Sequence, residues 1–394
     1  MRTYDLAAEY YDEACRLRHM IHRHPEVGHR EYQTTALIRT TLESYGVETV
    51  DCGLSTGALA VIKGARPGKV VALREDIDAL PIEGKTGLAV ASQTDGICHA
   101  CGHDIHTAAL LICAKMLSAC REQLCGDVLL VFQCSEETGD GAAEMLAHGI
   151  FDRYKPNVLL GLHCAPSLPA GTVGICEGTA NASSDTISVR VIGKGGHGAH
   201  PEDCVDPLTI GAGLLMQLQT IISRRNKATD PAVLTFGEIH GGTAPNVIPS
   251  SLDMYGTLRT FDNDVRRRHL NAIRSMCAGF CRSLGGDCEV VVSKSMPPLI
   301  NSPDVCRLLR TSAASVLGAE NVRTDIPPSM GSDDFSCLLE ACGNNGAQFL
   351  LGTALAGVPQ SAAGLHAADN IFPDEALTPA AAVLAQFALD YLRA

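Results

Sequence analysis

Asp127-Val128-Leu129-Leu130-Val131-Phe132-Gln133 is an unbroken apolar run between polar ends, and Glu136-Glu137 follows it closely. A half-buried strand alternates apolar and polar residues. A run without alternation reads as a strand covered on both faces, the habit of parallel sheets flanked by helices. Asn157–His163 (NVLLGLH) repeats the pattern and ends in a histidine. Ala58–Lys63 and Lys69–Arg74 are further β-like runs, and Gly64–Gly68 between them reads as a hairpin or meander. Helical periodicity fills residues 6–45 apart from an interruption at His22-Arg23-His24-Pro25-Glu26, and a helix opening at Asp104 or Thr107 runs through Cys120. Strands that alternate with helices and end in polar groups imply an α/β sheet with a site along one edge.

The rhythm changes after Gly178. Thr186–Ile192, Ala232–Ile239, Leu252–Arg259 and Cys288–Ser293 read as strands, and Pro207–Arg224 and Asp264–Leu284 as helices. Their order, β-α-β-β-α-β, is the ferredoxin-like split unit. It is expected to be a domain of residues 181–295 inserted into one formed by residues 1–180 and 296–394. The chain returns with a helix near Pro303–Val316, a strand at Gln348–Leu351 and a final helix at Thr378–Leu392. At 394 residues the chain exceeds the size at which one core usually keeps growing, which agrees with two domains.

A net charge of −13 argues against nucleic acid and anionic membrane as partners, since both need basic surface. No apolar run is long enough to span a bilayer. Met1-Arg2-Thr3-Tyr4-Asp5 holds no apolar signal region, so a cytoplasmic location is expected, with reduced thiols. The 17 cysteines form no paired framework, and most sit in apolar runs as small core residues.

Chemistry concentrates in Cys98-His99-Ala100-Cys101-Gly102-His103-Asp104-Ile105-His106. Thiolate and imidazole hold borderline-soft divalent ions. Cys101 and His103 are two apart, so an extended segment or tight loop points both the same way, and Gly102 permits a backbone that a larger residue would strain. Two ligands are too few. Glu136 and Glu137 after the apolar strand, His163 ending its own strand, and His366 in a small-residue loop complete a set. Cys101, His103, Glu137, His163 and His366 serve as ligands and Glu136 as base. Five ligands exceed one tetrahedral structural site and suit two ions sharing a water.

These residues, with His24-Pro25-Glu26, Asp76-Ile77-Asp78-Ala79-Leu80-Pro81, Gly161-Leu162-His163, Gly195-Gly196-His197, Asn246-Val247-Ile248-Pro249 and Gly256-Thr257-Leu258-Arg259, resemble the M20 metallopeptidases and amidohydrolases. The similarity is greatest to the subgroup of hippurate hydrolases, auxin-conjugate amidohydrolases and N-acetyl-diaminopimelate deacetylases. The resemblance implies an α/β catalytic domain with a mixed central sheet flanked by helices, and an inserted α+β lid through which the chain forms a homodimer. It also implies that His197 steadies the oxyanion and that Asn246 and Arg259 hold a substrate carboxylate. The ions implied are zinc or manganese, with cobalt or nickel as further candidates. Asp76 and Asp78 are expected to orient ligands rather than bind metal, and Glu26 receives no role.

The function expected is hydrolysis of the amide bond of small N-acyl amino acids to a carboxylic acid and an amino acid. The alternatives are a dipeptidase, aminopeptidase or ureide hydrolase of the same fold, and, more distantly, a non-catalytic metal-binding protein. The chain departs from the usual residues of the family at Glu75, Cys98, Cys134 and Asp333, none of them in the ligand set. Glu75 keeps the dipeptidase alternative open, because a free α-amino group on the substrate needs a nearby acid.

Overall fold

The computed structural model describes residues Arg2–Arg393. The chain forms two compact units, one of Met1–Ala180, Ile300–Pro327 and Asp334–Ala394, the other of Asn181–Leu299 and Pro328–Asp333. In chain order, helices α1 (Tyr11–Arg23) and α2 (Tyr32–Ser44) precede strands β1 (Ala58–Ile62) and β2 (Arg66–Asp76), helix α3 (His103–Ala119), and strands β3 (Cys125–Gln133) and β4 (Val158–Pro169). Then come β5 (Ser184–Ile192), α4 (Pro207–Thr220), β6 (Ala232–His240), β7 (Ser251–Thr260), α5 (Asn263–Ser283) and β8 (Asp287–Met296). The chain continues with α6 (Pro303–Leu317), β9 (Gly346–Ala354) and α7 (Leu377–Arg393). No described helix is long and apolar enough to cross a membrane.

The first unit is built on an eight-stranded sheet in the order Glu48–Val50, β1, β3, β2, β4, β9, Val173–Gly174, Val322–Arg323. β3, β2, β4 and β9 run parallel and β1 is antiparallel to β3, so the sheet is mixed. Val128 to Phe132 are fully buried, as a strand covered on both faces requires. β1 and β2 are not a hairpin, because β3 lies between them. The glycines expected to turn a hairpin serve close approach instead. A Cβ at Gly64 would stand 2.3 Å from the Gly126 carbonyl oxygen, and one at Gly68 would stand 2.2 Å from that of Cys125. Only bare backbone lets the start of β3 slot in there.

The N-terminal helical stretch is broken by a loop between α1 and α2. There Glu26 caps α2: its carboxylate accepts the Gln33 and Thr34 N–H groups at 3.1 and 2.9 Å. Every residue of α3 except Lys115 and Ala119 is buried. Its Ile105, Leu110, Leu111 and Ile112 join Leu73, Leu130, Leu160 and Phe349 of the sheet and Leu384 and Phe387 of α7 in one core.

The second unit has an antiparallel sheet in the order β6, β7, β5, β8, the split β-α-β-β-α-β arrangement. Ile187, Val189 and Val191 alternate along β5 and pack with Ile210, Leu214 and Leu218 of α4 and Ile273 and Cys277 of α5. Asp206 and Asp262 cap the two helices through the N–H groups of Leu208, and of Asp264 and Val265. Pro328–Asp333, which comes from beyond this stretch, belongs to the same unit. The Ala182 N–H donates to the Ser329 and Gly331 carbonyls at 3.0 Å.

Candidate metal centre

In the first unit the parallel strands end side by side. Asp76 closes β2 opposite Gln133, which closes β3. β4 outruns β2 after the pair Arg74–Gly161, and His163 lies on that overhang, opposite Leu350 of β9. Gly102, at φ 88°, turns the chain into α3. A Cβ there would meet Cys164 Sγ at 2.8 Å and Phe372 at 3.0 Å, so glycine is needed both for its left-handed backbone and for space. Of the two expectations for the pair Cys101 and His103, an extended segment or a tight loop, the structure has the second: a tight left-handed turn at Gly102 leading into a helix.

The ligand atoms of Cys101, His103 and His163 lie within 4.8 Å of one another, as do those of Cys101, Glu137 and His366, and those of His103, Glu136 and Glu137. All six of the sequence-assigned residues that lie in the first unit thus come together. The rings of His103 and His163 are set alike. Nδ1–H of His103 donates to the Asp78 carbonyl at 2.9 Å, and that of His163 to the Cys164 carbonyl at 2.9 Å. Each Nε2 is turned inward, the arrangement metal-binding imidazoles adopt. His103 Nε2 is buried without a hydrogen bond, 3.6 Å from Asp76 Oδ1 and 3.8 Å from Glu137 Oε1. His163 Nε2 is 3.5 Å from Cys101 Sγ, and His366 Nε2 is 3.3 Å from Glu137 Oε1. His366 is itself left-handed, at φ 66°, and its N–H is tied to the Ala100 carbonyl at 2.9 Å.

The electrostatics call for a cation. Burial opposes charge on His103, but Asp76, Asp78 and Glu137 outweigh it and raise its pKa to about 10. Burial, and then the charges of Glu137 and Glu136, hold the Cys101 thiol well above its usual range. A divalent ion is the species that would satisfy these carboxylates and stabilise the thiolate together. The donors fit such a group: thiol, imidazole and carboxylate converge, and one imidazole nitrogen is left without a partner.

Around them stands support that the sequence only partly announces. Asp76 faces His106, with Oδ1 2.5 Å from Nδ1, and its Oδ2 accepts from Arg74 at 2.8 Å. His106 Nε2 accepts the Cys164 N–H at 2.9 Å; burial, eased by Asp76, lowers its pKa to about 4. Its position three residues after His103 on α3, hence on the same face, was the available signal. Arg74 is fully buried, binds Gln133 at 2.8 Å and Asp334 at 3.2 Å, and lies over the Phe335 ring. Asp78 Oδ2 accepts the Glu137 N–H at 3.0 Å. Glu75 alternates to the other side of β2. It is fully buried and accepts the Leu162 N–H at 3.1 Å, so it is not the acid a substrate amine would meet.

His197, Asn246 and Arg259 belong to the second unit. Gly196–His197 pairs with Val247–Ile248, and the Gly198 N–H donates to the Asn246 carbonyl, so His197 and Asn246 are neighbours on an exposed hairpin-like edge. The Ala199 N–H donates to His197 Nδ1 at 3.0 Å, so the neutral ring carries its proton on Nε2. Arg259 is half-buried on β7 and donates to Ser332 Oγ at 2.6 Å. Burial lowers its pKa, with the charge of Asp185 acting the other way.

Residues 72–390 match the model of peptidase family M20/M25/M40. The chain is 39% identical over 324 residues to an N-acetyl-L-cysteine deacetylase of Bacillus subtilis, covering 82% of this chain and 77% of that one. It is 34% identical over 349 residues to thermostable carboxypeptidase 1 of Saccharolobus solfataricus, covering 88% and 87%. The crystal structure of the Bacillus subtilis YXEP protein, described as a dinuclear metal-binding peptidase of the M20 family, superimposes with a TM-score of 0.83 at 32% identity, covering 98% and 99%. The chain belongs to the M20/M25/M40 peptidase family and is a hydrolase of amide bonds.

Proposed function

We propose that this M20 hydrolase cleaves small N-acyl amino acids, N-acetyl amino acids foremost, to a carboxylic acid and a free amino acid. The observation that carries the reading is the convergence of Cys101, His103, Glu137, His163 and His366, with Glu136 beside His103 and Glu137. The likeness to an N-acetyl-L-cysteine deacetylase supports the acyl side of the substrate. Cys101, His103, Glu137, His163 and His366 would hold two divalent ions, zinc being best matched to the thiolate and imidazoles and manganese to the carboxylate of the set. Bound there, the ions supply Lewis acidity to the attacking water and the amide carbonyl.

Glu136 accepts the water's proton on a carboxylate oxygen and returns it to the departing nitrogen, acting as base and then acid. His197 offers an Nε2–H donor suited to the oxygen on which charge develops, and Arg259 offers a guanidinium suited to a planar carboxylate. Asn246 beside His197 adds an amide to the same recognition surface. We assign the second unit as the lid and as the interface of a homodimer, and the location as cytoplasmic.

The likeness to a carboxypeptidase favours a second reading, a peptide cut beside its C-terminal residue. That substrate also carries a free carboxylate next to the scissile amide, so Arg259 serves both. The test is a panel of N-acetyl, N-benzoyl and long-chain N-acyl amino acids beside unblocked dipeptides, with released amine measured on protein loaded with zinc or manganese. Turnover of the N-acyl series above the dipeptides is expected. Preference for unblocked dipeptides would replace the first reading, and no turnover of either class would sink both.

A further inference from the structure

The segment between α1 and α2 does more than cap a helix. Glu31 precedes α2, where a carboxylate could cap, yet the cap comes from Glu26. Glu31 turns away, is fully buried, and accepts the Ser135 N–H at 2.7 Å. Ser135 is fully buried and left-handed at φ 55°, a conformation that costs a non-glycine residue unless its surroundings enforce it. Two residues on, the Glu137 N–H is held by Asp78 at 3.0 Å. Glu136 therefore sits between two amides, each pinned by a carboxylate.

The same segment grips the far end of the loop. His29, also left-handed at φ 62°, sets Nε2 2.9 Å from Asp140 and Nδ1 2.9 Å from Glu144. Between the two grips Gly28 lies so close that a Cβ on it would stand 2.5 Å from Ser135 Oγ. Thr138 closes the loop internally through Ser135 and Asp140.

We propose that Glu31 is a positioning residue for Glu136, its carboxylate fixing the left-handed turn at Ser135 that aims the general base. This rests on the amidohydrolase reading above. A buried acceptor acting through geometry makes a distinctive demand: reach matters and charge does not. Glu31→Gln keeps an oxygen at the same distance, whereas Glu31→Asp keeps the charge but withdraws the oxygen by one methylene.

The test measures kcat, KM and metal content for the metal-loaded variants on an N-acyl amino acid that the wild type turns over. Glu31→Gln is expected to keep kcat within about threefold, and Glu31→Asp to lose about 10–100-fold, the scale of a displaced catalytic group. KM and metal content should stay near wild type in both, and Glu31→Ala, where it folds, should be at least as impaired as Glu31→Asp. Wild-type kcat in Glu31→Asp overturns the proposal, as does a Gln variant no better than Asp, or a loss of kcat that follows loss of metal. A wild type without turnover overturns the amidohydrolase reading instead, which keeps the two failures apart.

Discussion

The polar groups singled out above are buried differently in the two units. In the first, Arg74, Asp76, Asp78, His103 and His106 are at most 1% exposed and interlocked. In the second, His197, His200 and Asn246 are exposed, and Arg259 is half-buried with a serine as its hydrogen-bond partner. Burying charge is costly unless the geometry is satisfied, so the first unit has committed its groups to one arrangement before any substrate arrives. The second leaves donors whose remaining partners a ligand can supply. The difference teaches a division of labour, with rate expected in the first unit and substrate choice in the second, and with His197, as proposed above, the exception that tests it.

The hardest blow to that division is expected at Glu136. Glu136→Gln should retain its metal by elemental analysis and lose about 10²–10⁴-fold in kcat, the range for a lost acid-base group, with KM little changed. Near-normal turnover would remove the rate-determining role from the first unit. His197→Ala is the point where the division can break. If His197 meets the developing oxyanion, kcat should fall by about 10²–10³-fold although the residue belongs to the second unit, the scale of one lost oxyanion donor. A change in KM alone would make His197 a selector and leave the division intact.

Arg259→Ala sharpens the comparison. KM for an N-acyl amino acid should rise about 10–100-fold, as for a lost charge-assisted bidentate contact, while the amide-capped analogue, lacking the carboxylate, is little affected. Equal damage to both substrates would make Arg259 structural. The smallest effect is expected at His200, whose ring is 5.6 Å from that of His197 and whose side chain is 63% exposed. His200→Ala should leave kcat and KM within about twofold, as exposed substitutions away from special contacts do. A larger loss would show that the two rings work as a pair.

Much of the first unit was legible because burial on both faces writes itself plainly: DVLLVFQ reads as nothing but a covered strand. The helices of the second unit were legible as Pro207–Arg224 and Asp264–Leu284, within a residue of their true starts, which Asp206 and Asp262 cap. The convergence of Cys101, His103, Glu136, Glu137, His163 and His366 was legible because each sits at a strand end, a helix start or a small-residue loop.

Strand adjacency was not legible. A strand apolar on both faces carries no mark of its neighbours, so the placement of β3 between β1 and β2 left only glycines as a trace. Nor was the carboxylate scaffold: Arg74 and Asp334 are 260 residues apart, and nothing local pairs them. Glu75 misled for a simpler reason. Adjacent acids in a motif look like one cluster, but on a strand they face opposite ways.

The burial of α3 has a consequence for how an ion is kept. Amides of a helix with almost no solvent-facing side are expected to exchange their hydrogens only when a large cooperative part of the protein opens, and α3 is such a helix. His103 is its first residue, and Cys101 is two positions before it. His366, by contrast, rides a half-exposed loop. On the proposed ligand assignment, release of an ion past His366 would need only local loop motion, whereas moving His103 aside would mean disturbing a helix buried on nearly all sides. The two sides of the proposed site would then differ in how long they keep an ion, one tied to a buried helix and the other to a half-exposed loop.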